Sequence, residues 1–189
     1  MHSIRTYSAP MNVARICLLA GLMAMAAPLK AADCGDTPAV LGETADANMI
    51  RCALSRAQAE NSARSLTIVE AEPEIEPVAF AINFEFGSAE ITPASRELLA
   101  RVAKVIAEDE ELREAAYFVD GHTDAVGSET DNEALGRERA QATAGALLSG
   151  VDFAMTLKVR SFGEAQLADS DNPEAATNRR VEITPVGRN

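Results

Sequence analysis

The chain has 189 residues, which is enough for one core domain with attachments but too short for two large domains. Its 29 acidic side chains outnumber 17 basic ones, giving a formal net charge of −12. A field of that sign repels phosphate groups, which argues against nucleic acid and anionic membrane surfaces as partners.

Residues 1–31 have the layout of a secretory signal peptide. An apolar run from Ile16 to Ala27 follows Arg15, and small residues then lead to the cleavage site expected after Ala31. Spanning a bilayer takes about 20 residues, so this shorter run favours cleavage over retention as an anchor, and both stay open. Cleavage would remove three basic residues and leave an exported, soluble product with a net charge of −15.

Two cysteines remain after removal of the leader, in a compartment that oxidises thiols. A Cys34–Cys52 disulfide would close a loop of about 18 residues and contribute about 3 kcal/mol in the chain-entropy model. Two unrelated free thiols are the alternative. Because the sequence has no CxxC pair or Cys/His cluster, we expect no metal site, and nothing calls for a cofactor.

The first unit after the leader covers residues 32–69. Apolar and small residues recur there at near-helical spacing and predict one helix from about 46 to 66, tied to the preceding loop through Cys52. The stretch VEAEPEIEPV alternates acids with two prolines, so residues 70–77 are interpreted as an extended linker. A domain over residues 78–189 follows.

After the linker the pattern alternates between strand and helix. VAFAINFEF predicts a first strand, and ITPASRELLARVAKVIAEDEEL predicts a helix with Thr92 as N-cap and Pro93 at its first position. AAYFVDG predicts a second strand, and a Thr130–Glu133 capping box opens a second helix over about 129–149. LKVRSFG and RRVEITPV predict two further strands. The order β-α-β-α-β-loop-β indicates an α/β fold, a compact two-layer sandwich.

The polar stretch GHTDAVGSETDNEALGRERA joins the second strand to the second helix. Asn132 and Arg139 are seven residues apart and share one helix face, since each residue turns about 100°. Asp124 lies on the loop that feeds this helix. A carboxylate near a guanidinium complements a zwitterion, because the first accepts from an ammonium and the second donates to a carboxylate. On spacing alone, a simple Asp124–Arg139 salt bridge stays an equal alternative.

His122 raises the question of catalysis, since it stands two residues before Asp124. The sequence has no GxSxG or HExxH motif and no nucleophile–base–orienter set, and the other histidine, His2, belongs to the leader. We therefore expect His122 to organise the loop and the protein not to be an enzyme. A wall hydrolase centred on His122 and Asp124 is the less favoured alternative.

Four sequence blocks, in order, resemble the OmpA-like C-terminal (OmpA/Pal/MotB) peptidoglycan-binding domain family over residues 78–186. They are FEFGSAEITPAS, VDGHTDAVGSETDNEALGRERAQA, VRSFGEAQLADSDN and NRRVEI. The resemblance implies the OmpA-like sandwich and a non-catalytic module that binds the diaminopimelate of the peptidoglycan stem peptide. Asp124 would take the ligand ammonium, Arg139 its carboxylate, and Asn132 would complete the set.

The resemblance also makes Phe86, Gly87 and Thr123 weaker candidates for ligand contacts. Gly136 stands where the family usually has serine, and the arginine that often precedes NRRV is absent. That absence puts the shape of the last loop in doubt, and the arginines of NRRV are interpreted mainly as structural.

The implied protein is periplasmic, with association with the outer membrane left open, and it ties an envelope protein or complex to the wall. An alternative makes residues 32–69 the functional part. They would dock an outer-membrane or envelope partner, with weak or no wall binding.

Overall fold

The computed structural model describes residues 38–65, 77–85 and 88–188. A mixed five-stranded sheet runs through these ranges in the order β1-β2-β5-β3-β4. Its strands are Val40–Leu41 (β1), Ala79–Phe80 (β2), Ala115–His122 (β3), Thr156–Gly163 (β4) and Val181–Arg188 (β5). β3 pairs in parallel with β4 and antiparallel with β5, and β2 completes the other side of β5. The predicted mixed α/β class is confirmed.

Four α-helices accompany the strands in the described part of the chain. They are Ala47–Ser65 (α1), Pro93–Glu108 (α2), Glu110–Glu114 (α3) and Glu129–Ser149 (α4). The bounds of α1 and α4 agree with the sequence prediction to within one residue at each end.

The residues that cap the helices explain which of the other predicted helix starts and ends are correct. Thr92 caps α2 by accepting a hydrogen bond from the Ser95 backbone N–H at 3.4 Å, as predicted. The predicted single helix is broken at Asp109, whose extended backbone and side chain start α3 instead. The Thr130 capping box is wrong. Ser128 caps α4, because it has the extended backbone that an N-cap needs and Thr130 already lies inside the helix.

The first strand of the predicted domain is much shorter than the alternation VAFAINFEF suggests. Phe80 pairs with Val181, the first residue of β5, so the ladder has no partner beyond that point. Ile82 is nevertheless buried, and Phe84 forms only an isolated bridge with Ile91. The alternation therefore records one buried face rather than a continuous strand.

The hydrophobic core is built jointly by the sheet and by α1, α2 and α4. Its fully buried side chains include Ile50, Leu54, Phe80, Leu98, Ile106, Tyr117, Leu147 and Ile183. β1 extends the sheet by pairing in parallel with β2. The segment 38–65, predicted as part of a separate unit, thus packs into the same core as the α/β domain.

Several predictions fall outside the described residues. These are the leader over residues 1–31, most of the linker and Cys34, so the cleavage site, the domain divisions and the Cys34–Cys52 pairing stay predictions. None of the helices in the described ranges is long and apolar enough to cross a membrane.

Candidate ligand-binding site at the start of helix α4

Close packing of α4 on the sheet sets the position of the site. A Cβ added at Gly121 of β3 would lie 2.0 Å from the carbonyl oxygen of Gly136, which is far inside contact distance. A Cβ at Gly136 would lie 2.5 Å from Oγ of Ser161, and that hydroxyl donates a hydrogen bond to the Glu133 carbonyl at 2.8 Å. The two glycines therefore bring the first turns of α4 against the ends of β3 and β4.

Asp124 follows β3 directly, on the loop that leads into α4. Its Oδ2 accepts a hydrogen bond from Arg179 Nη1 at 2.7 Å, and its Oδ1 accepts from the Val126 backbone N–H at 3.3 Å. The Asp124 side chain is 14% exposed, whereas that of Arg179 is 46% exposed. The carboxylate is thus held in a fixed orientation, and one of its partners is a cation open to solvent.

Arg139 lies two helical turns after Asn132, with its guanidinium partly withdrawn from water. It sits over the Phe84 ring, 5.0 Å from the ring centre, and its Nε donates to the Ser88 carbonyl at 3.4 Å. Burial lowers the pKa of Arg139; Asp124 opposes this effect and Arg179 adds to it. The charges of Asp124 and Arg179 therefore both act on the guanidinium of Arg139.

The structure does not join Asp124 to Arg139 in an ion pair, although it describes both residues. The carboxylate of Asp124 pairs with Arg179 instead. Arg139 keeps its partly desolvated charge near that pair. This arrangement differs from the simple loop-to-helix clamp that spacing alone left open.

Asn132, the third predicted ligand residue, is only 4% exposed. Its Nδ2 donates a hydrogen bond to Oε2 of Glu164, the residue that follows β4. Gly163 permits this approach, because a Cβ there would lie 3.2 Å from the Asn132 carbonyl carbon. Gly163 also has a positive φ of 49°, a conformation that disfavours other residues.

Thr123 lies between the end of β3 and Asp124 and is buried. Its backbone N–H donates to the Gly163 carbonyl at 2.8 Å, while its Oγ1 is buried without a hydrogen-bond partner among the described residues. A buried hydroxyl at the site without a partner is compatible with the weaker ligand role predicted for Thr123. Phe86 and Gly87 lie outside the described residues, so their predicted contacts stay predictions.

His122 is buried, so its ring does not reach the solvent. Its ring stacks on Phe162 with centres 5.3 Å apart, and its Nε2 lies 3.6 Å from Oε2 of Glu182. Arg180 donates to the same carboxylate at 2.8 Å. Burial raises the pKa of Glu182, but His122 and Arg180 together outweigh that effect and hold the pKa below its usual value. These contacts tie the end of β3 to Phe162 of β4 and to Glu182 of β5.

In the described ranges, no cluster of three or more His, Cys, Asp or Glu side chains is arranged to hold a metal ion. The site offers the carboxylate of Asp124, the amide of Asn132 with the Glu164 carboxylate bound to it, and the guanidinium groups of Arg139 and Arg179. These groups can bind a small molecule that carries both charges.

The OmpA family matches residues 83–180, more than half of the chain. The chain belongs to the OmpA family. The matched range contains Asp124, Asn132, Arg139 and Arg179, and it begins after α1. Family membership therefore covers the site, while the segment 38–65 lies outside the match.

The OmpA-family region also resembles two curated proteins of Escherichia coli (strain K12). It is 37% identical over 106 residues to the probable lipoprotein YiaD, covering 54% of this chain and 47% of the relative. It is 33% identical over 104 residues to the putative truncated flagellar export/assembly protein LafU, covering 53% and 47%. The chain spans about half the length of these relatives.

Solved structures give similar matches. The peptidoglycan-associated lipoprotein from Burkholderia pseudomallei is 28% identical, with a TM-score of 0.45, over 55% of this chain and 87% of that one. The periplasmic domain of Helicobacter pylori MotB (residues 78-256) is 23% identical, with a TM-score of 0.46, over 57% and 71%.

Two residues of this OmpA-family site are not predicted from the sequence. Glu164 is not singled out, and Arg179 is assigned a structural role, yet they bind Asn132 and Asp124 respectively. The only signals were their places in the blocks VRSFGE and NRRVEI, which carry no information on the partner.

Proposed function

We propose that this chain binds diaminopimelate-type peptidoglycan non-covalently in the periplasm and tethers an envelope protein or complex to the wall. The observation that carries the proposal is that Asp124 lies near enough for its charge to act on Arg139, while its carboxylate pairs with Arg179 and not with Arg139. Diaminopimelate has a second amino-acid centre beyond its peptide linkage, with one ammonium and one carboxylate. A site with separate opposite charges complements such a centre.

The ammonium of the ligand would bind Asp124. One oxygen of this carboxylate is fixed by the Val126 N–H, and the other is held by Arg179, whose exposed side chain can leave at little cost. The Arg179 side chain is 46% exposed, so water can replace its contacts when it leaves, and the ligand ammonium would replace its charge beside the Asp124 carboxylate.

The ligand carboxylate would bind Arg139. Only its Nε has a hydrogen-bond acceptor among the described residues, and that contact is long at 3.4 Å. Its terminal nitrogens therefore stay available for a bidentate pair with a carboxylate. Partial burial strengthens such a pair, because charges attract more strongly where water is scarce.

A catalytic role finds less support than binding. His122 is buried between Phe162 and Glu182, and Asp124 is engaged by Arg179, so neither group is arranged as an acid or base toward a substrate. We infer a non-enzymatic module.

Sedimentation with purified wall tests the proposal. Asp124→Ala and Arg139→Ala should each weaken binding by at least about 10-fold, in line with the loss of one buried charge contact. Arg137→Ala is the matched control, because Arg137 lies on the same helix and is exposed, and its one ion pair among the described residues is with Glu133, four residues before it. Free diaminopimelate should compete with the parent protein. Sedimentation of the Arg139 variant at the level of the Arg137 control would refute the proposal.

The partner-docking alternative for residues 32–69 is less favoured by the packing of α1. Ile50 and Leu54 lie fully inside the core, so the apolar side of this helix is already occupied within the chain. A partner would have to use the exposed side. If Arg56→Glu leaves the co-purifying envelope proteins unchanged, this alternative is not supported.

A further inference from the structure

The amide of Asn132 has a defined orientation. An asparagine side chain presents a donor nitrogen on one side and an acceptor oxygen on the other, and the two are assigned from the hydrogen bonds that they make. Here the assignment is clear, because the neighbour of Asn132 is the carboxylate of Glu164, which only accepts hydrogen bonds. The nitrogen must therefore face Glu164, and the carbonyl oxygen Oδ1 must face the other way.

Oδ1 of Asn132 receives no hydrogen bond from any residue in the described ranges, and it is not sealed inside the protein. Gly127 lies on the loop between Asp124 and α4, and a Cβ added there would lie 3.8 Å from Oδ1 and 4.0 Å from Nδ2. Gly127 has φ 110°, a conformation natural to glycine. A bare backbone thus passes beside the oxygen and leaves it open on the side of the Asp124 loop.

The position of Glu164 is set by the backbone rather than by a counter-charge. The turn after β4 closes with a hydrogen bond of 2.8 Å from Ala165 N–H to the Phe162 carbonyl. Gly163 lies so near α4 that a Cβ on it would be 3.0 Å from the Glu133 backbone nitrogen. Within the described residues, no Lys or Arg pairs with Glu164, so its carboxylate is committed to Asn132.

We propose that Glu164 is a positioning residue that makes Asn132 a hydrogen-bond acceptor for an N–H group of the bound stem peptide. The donor is the diaminopimelate ammonium or a neighbouring amide N–H, and Asn132 does not donate to the ligand carboxylate. This assignment rests on the proposed wall binding. It divides the site into an acceptor side, formed by Asp124 and Asn132, and a donor side, formed by Arg139.

A swap of the two side chains tests this polarity, with a soluble muropeptide ending in diaminopimelate as the probe. Asn132→Asp puts two carboxylates in contact and should weaken binding by about 10-fold or more. The double variant Asn132→Asp/Glu164→Gln should regain most of that loss. Its glutamine donates to one oxygen of the new aspartate and leaves the other as an acceptor for the ligand. If Asn132 instead donated to the ligand, the double variant would bind no better than the single one.

Glu164→Ala and Asn132→Ala provide a second measurement. Because Glu164 acts through Asn132, each should weaken muropeptide binding by several-fold, about 3- to 10-fold, and the double variant should be no weaker than Asn132→Ala alone. In 15N-labelled protein without ligand, Glu164→Gln should also move the side-chain amide resonances of Asn132. A purely structural Glu164 would lower the melting temperature while leaving affinity unchanged, and that result would overturn the inference.

The Asp124→Ala and Arg139→Ala variants distinguish failure of the wall-binding proposal from failure of the role assigned to Glu164. If they lose binding while Glu164→Ala binds like the parent, the wall-binding proposal stands and the role of Glu164 is wrong. If they bind the muropeptide like the parent, wall binding through this site fails, and the role of Glu164 fails with it.

Discussion

Asp124 and Arg179 form an ion pair of 2.7 Å across a sequence separation of 55 residues, and this pair occupies the carboxylate that the wall ligand would use. Arg179 also lies near enough to Arg139 to lower its pKa. A ligand ammonium at Asp124 would release Arg179, and a ligand carboxylate between the two arginines would relieve their repulsion.

The replacement of Arg179 by a ligand ammonium at Asp124 predicts the effect of Arg179→Ala on wall binding. Wall binding should weaken by about 3- to 10-fold, less than for Arg139→Ala, since an exposed cation contributes less than a partly buried one. Sedimentation at several salt concentrations would measure this, and the variant should show the weaker salt dependence. Tighter binding than the parent would mean that Arg179 only competes for Asp124.

The close contact of Gly121 in β3 with Gly136 in α4 predicts that alanine at either position destabilises the fold, with the larger loss at Gly121. Gly121→Ala would drive a methyl group into the Gly136 carbonyl, which is backbone and cannot move aside, and should cost about 3 kcal/mol. At Gly136 the nearest atom to an added Cβ is the Ser161 hydroxyl, a side chain that can turn away, and the Gly121 carbonyl oxygen lies 3.1 Å from it, so Gly136→Ala should cost about 1 kcal/mol. Urea denaturation checks both values. Gly145→Ala is the control, since nothing lies within 4 Å of a Cβ at that helical position.

The depressed pKa of Glu182 predicts a pH-dependent contribution to stability. A carboxylate with a folded-state pKa below its unfolded value stabilises the fold above the unfolded pKa, and this effect disappears as pH falls through the folded value. Glu182→Gln should therefore lower the free energy of unfolding at about pH 7, and the loss should be smaller at an acidic pH where the carboxyl is protonated in the folded parent as well. Urea titrations at both pH values give the comparison. An equal loss at both would show that the charge of Glu182 is not responsible.

The burial of Leu54 predicts that α1 folds together with the α/β domain. Leu54→Ala should reduce the free energy of unfolding of the whole domain by about 2–5 kcal/mol, because the side chain is fully buried in the shared core. Urea denaturation followed by circular dichroism and by amide exchange in β5 should show one shifted transition. An unchanged midpoint for β5 would show that residues 38–65 form a separate unit. Arg56→Ala, on the exposed side of α1, is the control.

The sequence predicts local structure here better than it predicts partners. The common face of Asn132 and Arg139 follows from helix geometry, which acts over a few residues. The partners Glu164 and Arg179 lie 32 and 55 residues from Asn132 and Asp124, and no periodicity reports contacts at that range.

The same limit applies to the sheet. β1 has two residues, too few for alternation to be recognised, and β2 keeps only two residues of the strand that alternation predicts. Both are defined by pairing across the fold. Thr130, the cap predicted for α4, has a hydroxyl with the same chemistry as that of Ser128, which caps the helix in the structure. Only the backbone conformation, which the sequence does not specify at that resolution, selects Ser128.

The short parallel pairing of β1 with β2 has a mechanical consequence under the proposed binding of the wall at the other end of the domain. Two residue pairs join β1 to the sheet, whereas β3, which carries Asp124 beyond its end, is held by long ladders on both sides. Tension between the wall and the N-terminal side of residue 38 would therefore peel β1 away first. Wall binding through the loop after β3 would survive this first step, because β3 stays paired on both sides. The residues released with β1 would lengthen the connection between the wall and the N-terminal part of the chain.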